Sequence, residues 1–422
     1  MSDADADATD IQKLKGFREF LPGEMRARRE VFERFRDVAR RYGFREIDTP
    51  SLEPLDLYLV KSGEELVDQT YSFEDKGERQ VTMVPEETPT RARMVAEHKE
   101  LSRPIKWFSV SKFWRYEQPQ QGRNREFYQF NYDIIGTDAV WADAEIIAVA
   151  AELLEELGID DAAVILINDR RLLEGILSAY GIDDAEEILG IIDDKEKMER
   201  DEFREELVDA GLSEENARVV DEVTELSGSP EEVMPKLENL VPDDEESMEA
   251  FERLQRLADS LDSYGALETC RIDLSIIRGL AYYTGLVFEI FDRKGDLRAL
   301  SGGGRYDDLI GLFGGEDTPA VGMAPGDSTF ELLMKREGVW PSEEVETDVY
   351  VLNVSDSVRE TALKIASTLR TEGMSVETDL SGRNFGNQME YANSMNADYL
   401  IIVGERDLEN DEVTVKEMET GE

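Results

Sequence analysis

Cysteine and histidine are almost missing from this chain of 422 residues, where Cys270 and His98 are single occurrences. One cysteine rules out an intrachain disulfide and a cysteine zinc cluster, and one histidine leaves histidine-rich metal sites and Ser/His/Asp catalysis without material. A reducing compartment is consistent with this usage. No apolar run reaches the roughly eighteen residues that would span a bilayer, and the start Ser2-Asp3-Ala4-Asp5-Ala6-Asp7 lacks the basic and apolar regions of a secretory leader. The expectation is a soluble, cytoplasmic protein with no membrane partner. Positive charge is scarce too: 47 Lys and Arg stand against 96 Asp and Glu, a net charge of −49. A protein that grips DNA normally carries a basic face, so no DNA partner is expected.

The distribution of charge matters more than its sum. Arginines gather in a few segments described below, whereas acids crowd Asp183-Asp184-Ala185-Glu186-Glu187, the stretch Asp193 to Glu206, and Asp243-Asp244-Glu245-Glu246. At molar salt the Debye length falls to about 3 Å, and self-repulsion of such a surface becomes tolerable. A salt-adapted source is expected.

The length suggests two or three domains, and 41% hydrophobic residues suffice for sizeable cores. Apolar side chains at Met25, Val31, Phe32, Phe35, Val38 and Ala39 give a helical rhythm over Glu24 to Tyr42, stopped by Gly43; Phe44 to Pro50 then alternates as a strand. Trp107 to Tyr116 and Phe127 to Ile135 read as an antiparallel pair joined by the polar loop Gln118 to Arg125. Alternation over Ala281 to Phe291 predicts another strand, Leu297 to Ser301 a shorter one, and Tyr306, Leu309, Ile310 and Phe313 a helix. The pattern is that of an α+β catalytic domain, a mostly antiparallel sheet flanked by helices. Its first part is placed at 1–168 and its second at 264–338. Between them, 169–263 changes to short amphipathic helices and reads as a helical insertion. After a linker at Val339 to Glu344, residues 346–422 alternate strand and helix as a separate C-terminal α/β domain with a mainly parallel sheet.

The most informative stretch is Arg278-Gly279-Leu280-Ala281-Tyr282-Tyr283-Thr284-Gly285-Leu286-Val287-Phe288-Glu289, a cation, two tandem aromatics and a carboxylate at a strand entry. In an extended segment successive side chains point to opposite faces, so Tyr282 and Tyr283 are not expected to share one core. Downstream, Ser301-Gly302-Gly303-Gly304-Arg305-Tyr306-Asp307 is no phosphate-binding P-loop, since no Gly-Lys-Ser/Thr follows; the glycines are expected to permit close backbone approach to a ligand. Upstream lies Phe113-Trp114-Arg115-Tyr116-Glu117-Gln118-Pro119-Gln120-Gln121-Gly122-Arg123-Asn124-Arg125-Glu126-Phe127-Tyr128-Gln129.

These three segments resemble histidyl-tRNA synthetases: the first two are similar to that family's histidine signatures, and the third to the motif 2 strand-loop-strand of class II synthetases. The resemblance runs from Gly16-Phe17-Arg18-Glu19-Phe20-Leu21-Pro22, through Pro85-Glu86-Glu87-Thr88, to Val413-Thr414-Val415-Lys416. It implies a ligase that joins L-histidine to its tRNA at the expense of ATP, through a histidyl-adenylate. It further implies a homodimer built on the first helix-strand unit, an insertion that approaches the tRNA acceptor arm, and an anticodon-binding C-terminal domain. The insertion is so acidic that direct phosphate contact is not expected of it.

Bringing a carboxylate onto the α-phosphate of ATP joins two anions, and a guanidinium forks naturally onto phosphate oxygens. The resemblance assigns this catalytic work to Arg115 and Arg278 on opposite sides of the phosphate. Around the nucleotide it adds Arg123 and Glu117, the latter facing the adenine amino group. For histidine it implies Glu86, Glu87, Thr88 and Gln129 about the amino group, Asp133 on the strand face of Gln129, and Tyr282 and Tyr283 as aromatic walls with hydroxyl handles. No metal site made of protein side chains is expected; Mg²⁺ is expected to arrive bound mainly through the ATP phosphates.

The chain departs from the family pattern at motif 3, where Gly322-Met323-Ala324-Pro325-Gly326-Asp327-Ser328-Thr329 puts Thr329 in the place of the arginine that binds the ATP tail. Gln118 replaces a residue commonly charged, and Val84 stands where bacterial members often have arginine. The missing motif 3 arginine keeps open a second reading, a non-catalytic histidine-sensing paralogue such as the regulatory subunit of ATP phosphoribosyltransferase. Arg115, Arg278 and the C-terminal domain, which such subunits lack, argue against it. An acidic binding protein without chemistry would leave the arginines and tandem tyrosines unexplained.

Overall fold

Two ten-residue segments rich in aromatic and branched side chains, 105–114 and 126–135, seed the main sheet of this computed structural model, which describes residues 12–60, 68–182, 186–195, 198–277, 282–344 and 347–420. In chain order the strands are β1 (Arg45–Glu46), β2 (Leu52–Pro54), β3 (Tyr71–Glu74), β4 (Gln80–Met83), β5 (Ile105–Trp114), β6 (Glu126–Ile135), β7 (Ala163–Asp169), β8 (Ser227–Gly228), β9 (Cys270–Asp273), β10 (Leu286–Asp292), β11 (Ser301–Arg305) and β12 (Ala320–Met323). The main sheet has nine strands in the order β1-β5-β6-β12-β11-β10-β7-β9-β8, and β2-β4-β3 form a small antiparallel sheet beside it. Only the β1/β5 and β7/β9 pairs of the main sheet are parallel. The expected mostly antiparallel α+β architecture is therefore present.

One face of this sheet carries Phe108, Phe130, Tyr132, Ile165, Ile167, Phe288 and Ile290. Helix Pro22–Arg41 lays Val31, Phe32, Phe35, Val38 and Ala39 against them, with Phe35 stacked on Phe130 at 3.7 Å between ring centroids. Burying each such phenylalanine contributes about 2–3 kcal/mol. The inserted helices share this core: Leu172, Phe203, Val220, Leu254 and Leu261 belong to the same buried cluster. The insertion also holds a two-residue strand, β8, which pairs with β9.

The chain forms two compact units, Met1–Glu19 with Val31–Trp340, and Phe20–Glu30 with Pro341–Glu422. The boundary expected from sequence thus needs amending, since the start of the first helix keeps company with the C-terminal residues; Arg26 donates to the Ser342 carbonyl at 2.7 Å. In the second unit β13 (Thr347–Asn353), β14 (Val376–Thr378), β15 (Ala397–Val403) and β16 (Thr414–Glu417) align as β14-β13-β15-β16, parallel except for β16. Alternation in β13 sends Val349 and Val351 to the helix Arg359–Thr371, and Tyr350 and Leu352 to the side of the helix Phe385–Ser394. Among the described residues no helix is long and apolar enough to cross a membrane.

Two local expectations are corrected. β10 begins at Leu286 rather than Ala281, because Thr284 and Gly285 are held by backbone bonds to Arg305 and Arg170 in a turn before the strand. The short strand expected over Leu297 to Ser301 instead runs Ser301–Arg305, so the three glycines lie inside β11. A Cβ on Gly303 would lie 2.4 Å from Phe288 Cζ and 2.5 Å from the Gly322 carbonyl, and one on Gly304 2.5 Å from the Leu286 carbonyl. Phe288 and Tyr283 use the space that side chains on β11 would fill.

Candidate active site

The face of β6 opposite the core opens a cavity of about 1030 Å³. Period-two geometry puts Phe127, Gln129, Asn131 and Asp133 in its wall together. The loop between β5 and β6 adds Arg115, Glu117 and Arg123, the entrance of the helix Thr88–Glu97 adds Glu86 and Thr88, and the turn before β10 adds Tyr282 and Tyr283. Leu166 on β7 and Glu289 on β10, register partners, form the far side. The long β5–β6 loop is clasped from the N-terminal segment: Gly16, with a φ of +85°, accepts from Arg125 N at 2.9 Å. A side chain at Gly16 would run into Arg125 and Pro119.

The two tyrosines do not divide between opposite faces, as a strand would have required. Both are buried, their rings 4.9 Å apart and tilted by 49°, because a turn carries them. Tyr282 donates its hydroxyl hydrogen to Glu86 Oε2 at 3.0 Å, and the Glu86 carbonyl accepts from Tyr58 at 3.2 Å. Arg115 is anchored through Nε to the Pro85 carbonyl at 3.0 Å, next to Glu86, and its guanidinium lies 5.4 Å from the Phe127 ring centre. Arg123 and Glu117, expected separately on the nucleotide, grip each other; Arg123 Nη2 donates to Glu117 Oε1 at 2.6 Å. Arg278, together with Gly279 to Ala281, lies outside the described residues.

Asp133 and Glu87 have roles beyond the contacts expected of them. Asp133 is buried at the cavity floor, where it accepts from Arg91 and from the Tyr306 hydroxyl. Gly322 on the adjoining strand makes room, since a Cβ there would sit 2.1 Å from Asp133 Oδ1. Burial pushes the Asp133 carboxyl above its ordinary range, while Arg91 and Tyr306 pull it back. Glu87 is not in the cavity wall, which corrects its place beside Glu86. Its carboxylate faces inward, where it accepts from Thr49 at 2.6 Å, Ser111 at 3.2 Å and Arg91 Nε at 3.0 Å. The reason is local: Glu87 is the N-cap of the Thr88–Glu97 helix, so it sits one helical turn from Arg91, and the two face the same way. Arg91 thus ties both carboxylates together behind the site.

Sequence reasoning passed over Asn131, Arg91, Tyr306 and Arg298. Asn131 is buried between Gln129 and Asp133, and its Nδ2 has no hydrogen-bond partner among the described residues. The two-residue period from Gln129 to Asp133 was the signal that could have found it. Arg298, ahead of β11, lines the same cavity. On the core-facing side of the sheet, Arg305 is buried and holds Asp143 at 2.7 Å; Asp143 also accepts from Arg253 of the inserted helix Glu245–Tyr264.

Taken together, the cavity offers a carboxylate beside a tyrosine hydroxyl, an anchored guanidinium on an aromatic ring, and an unused amide donor. That donor set suits a small zwitterion next to a phosphate. Residues 16–326 match the family model for histidyl-tRNA synthetase, and residues 348–422 match that of an anticodon-binding domain. The histidine–tRNA ligase of Haloarcula marismortui is 50% identical over 413 residues, 97% of this chain and 94% of that protein. Its counterpart in Halobacterium salinarum is 46% identical over 414 residues, again 97% of this chain and 94% of that protein. Both sources are halophilic archaea, as the acidic composition led one to expect. A solved histidyl-tRNA synthetase structure from Nostoc superposes with a TM-score of 0.84 at 27% identity, covering 98% of this chain and 96% of that one. The chain therefore belongs to the histidyl-tRNA synthetase family of class II aminoacyl-tRNA synthetases.

Proposed function

We propose that this protein attaches L-histidine to its tRNA in two steps within the cavity described above. In the first, a carboxylate oxygen of histidine bonds to the α-phosphorus of ATP, and the bond to the bridging oxygen breaks to release pyrophosphate. In the second, the terminal ribose hydroxyl of the tRNA attacks the adenylate carbonyl, and AMP leaves. The observation that carries this reading is the convergence of Glu86, Thr88, Arg115, Gln129 and the tandem tyrosines on one cavity, from four separate segments.

In this reading Glu86, oriented by the Tyr282 hydroxyl, takes the histidine ammonium with help from Thr88 and Gln129. Asp133 and the Tyr283 hydroxyl select the imidazole, with the Tyr282 ring as a wall, because a site with buried polar groups rejects analogues that leave them unpaired. Arg115 forks onto the α-phosphate and the attacking carboxylate, with Arg278 assigned to the other side of that phosphate. Catalysis is then orientation plus charge stabilisation, each worth several kcal/mol. Arg123 and Glu117 exchange their mutual contact for the nucleotide, Glu117 receiving the adenine amino group. Mg²⁺ enters this reading as a companion of the nucleotide, held mainly by the ATP phosphates. The reading includes a cytoplasmic homodimer, to be tested by sedimentation.

Pyrophosphate exchange into ATP, run with each amino acid in turn at high KCl, is the deciding assay. Histidine alone should support exchange, and Arg115→Ala should lower it by about 10²–10³-fold. Histidine binding without any exchange would instead favour the histidine-sensing paralogue.

A further inference from the structure

The place of the motif 3 arginine is taken by Thr329, a buried side chain in the first turn of the helix Asp327–Glu337 that lines the cavity but bears no charge. The triphosphate tail of ATP still needs a cation at that end. Arg18 approaches the same helix, but its guanidinium is engaged by Asp327 at 2.7 Å and it is not in the cavity wall. Lys294 is in the wall but lies 3.3 Å from Glu337. Arg298 is different. It is exposed to the cavity, and among the described residues it makes no hydrogen bond or ion pair, although acids outnumber bases by 96 to 47 in this chain.

Its position follows from the backbone. Leu300, two residues later, receives Gly326 N at 3.1 Å and the Thr329 hydroxyl at 3.4 Å on its carbonyl, so the segment leading into β11 crosses the first turn of that helix. Arg293, also unpaired among the described residues of this wall, is fastened by its backbone to Ala162 just before β7, and its neighbours Asp292 and Lys294 bond Arg336 and Glu337 at the other end of the helix that starts with Thr329's turn. We propose that Arg298 is the phosphate-tail residue of this enzyme: it takes the γ-phosphate end of ATP, and the pyrophosphate that leaves, in place of the arginine lost at position 329. The inference rests on the activation reaction given above and deepens it by naming the residue that receives the leaving group.

The test uses the full-length protein in histidine-dependent pyrophosphate exchange. A charge-assisted contact to phosphate is worth roughly 10- to 100-fold in affinity. Arg298→Ala should therefore raise KM for ATP and for pyrophosphate by that factor, with KM for histidine and competitive inhibition by AMP, which lacks the tail, nearly unchanged. Arg298→Lys should fall between, and Thr329→Arg added to Arg298→Ala should recover most of the loss. An unchanged KM for ATP in Arg298→Ala would overturn the proposal. So would a rise confined to the KM for tRNA, which would give this cation to the tRNA backbone, or an equal loss for ATP and AMP. If the wild type shows no exchange at all, the activation reading fails on its own. Calorimetric titration with ATP and with AMP would then still decide whether Arg298 creates a preference for the longer phosphate.

Discussion

Removing the Arg91 guanidinium while keeping its bulk, Arg91→Met, should be among the most damaging single changes to this fold. Arg91 is 1% exposed and stands between Glu87, whose side chain is 0% exposed, and Asp133, at 7%. It reaches Glu87 at 2.8 Å and Ser109 at 2.7 Å and also bonds Asp133, so its loss strands two carboxylates in one interior. Breaking one buried pair from one side costs about 3–5 kcal/mol, and with two orphaned acids the upper end applies. That is a large share of the roughly 5–15 kcal/mol that separates folded from unfolded protein. Urea unfolding at fixed, multimolar KCl would measure it. Because stranded carboxylates have raised folded-state pKa values, the extra loss is fully present above those values and is relieved as pH falls through them. The gap to wild type should therefore shrink from neutral pH toward about pH 5. Adding Glu87→Gln and Asp133→Asn should return part of the stability. Buried charges are poorly screened, so the loss should hardly depend on KCl, unlike that of a surface pair such as Arg40–Asp37, whose side chains are 53% and 60% exposed. A loss under about 1 kcal/mol, or one indifferent to pH, would refute the reasoning.

Gly303→Ala must push aside Phe288 and the Gly322 carbonyl, and should lower unfolding stability by about 1–3 kcal/mol and distort the cavity, read as a rise in KM for histidine. Burial pushes the Cys270 thiol up to about 12. Native protein at mildly alkaline pH should therefore leave a thiol reagent unreacted, while unfolded protein consumes one equivalent per chain. Burial likewise raises the Asp143 carboxyl to about 6, against the pull of Arg305 and Arg253. The folded state then holds a proton that the unfolded state has lost, so this group's contribution falls as pH rises. Stability of wild type relative to Asp143→Asn should drop by about 2 kcal/mol between about pH 4.5 and about pH 7.

What sequence could and could not convey follows from the range of each signal. The β5–β6 pair was legible because the aromatic-rich segments Trp107 to Tyr116 and Phe127 to Ile135 flank one polar loop, and the two-residue period of a strand grouped Gln129 with Asp133. The helix Pro22–Arg41 was legible through its apolar stripe. Tyr282 and Tyr283 were misjudged because a period of two was extended into a turn, where it has no force. The strand over Leu297 to Ser301 was stopped short of the triple glycine because glycine weakens an isolated strand; only the packing of Phe288 and Tyr283 across it explains why β11 tolerates nothing larger. Glu87 was grouped with Glu86 by adjacency, although neighbours at a helix entrance diverge. Arg91 went unseen because a buried arginine is defined by its distant partners, and these lie on other elements. Thr329 was noticed as a loss, but Arg298 could be set beside it only once the Leu300 carbonyl was located on the helix Asp327–Glu337.

The carboxylate of Asp143 answers to two masters, Arg253 on an inserted helix and Arg305 on the glycine strand. Anyone who trims the inserted segment, or replaces it with one of different origin, also withdraws a counter-charge from beneath the catalytic sheet. A successful transplant would have to bring its own cation to that spot or neutralise Asp143 and Arg305 in the same step. The segment is in this sense not a detachable ornament on the domain but part of its electrostatic foundation.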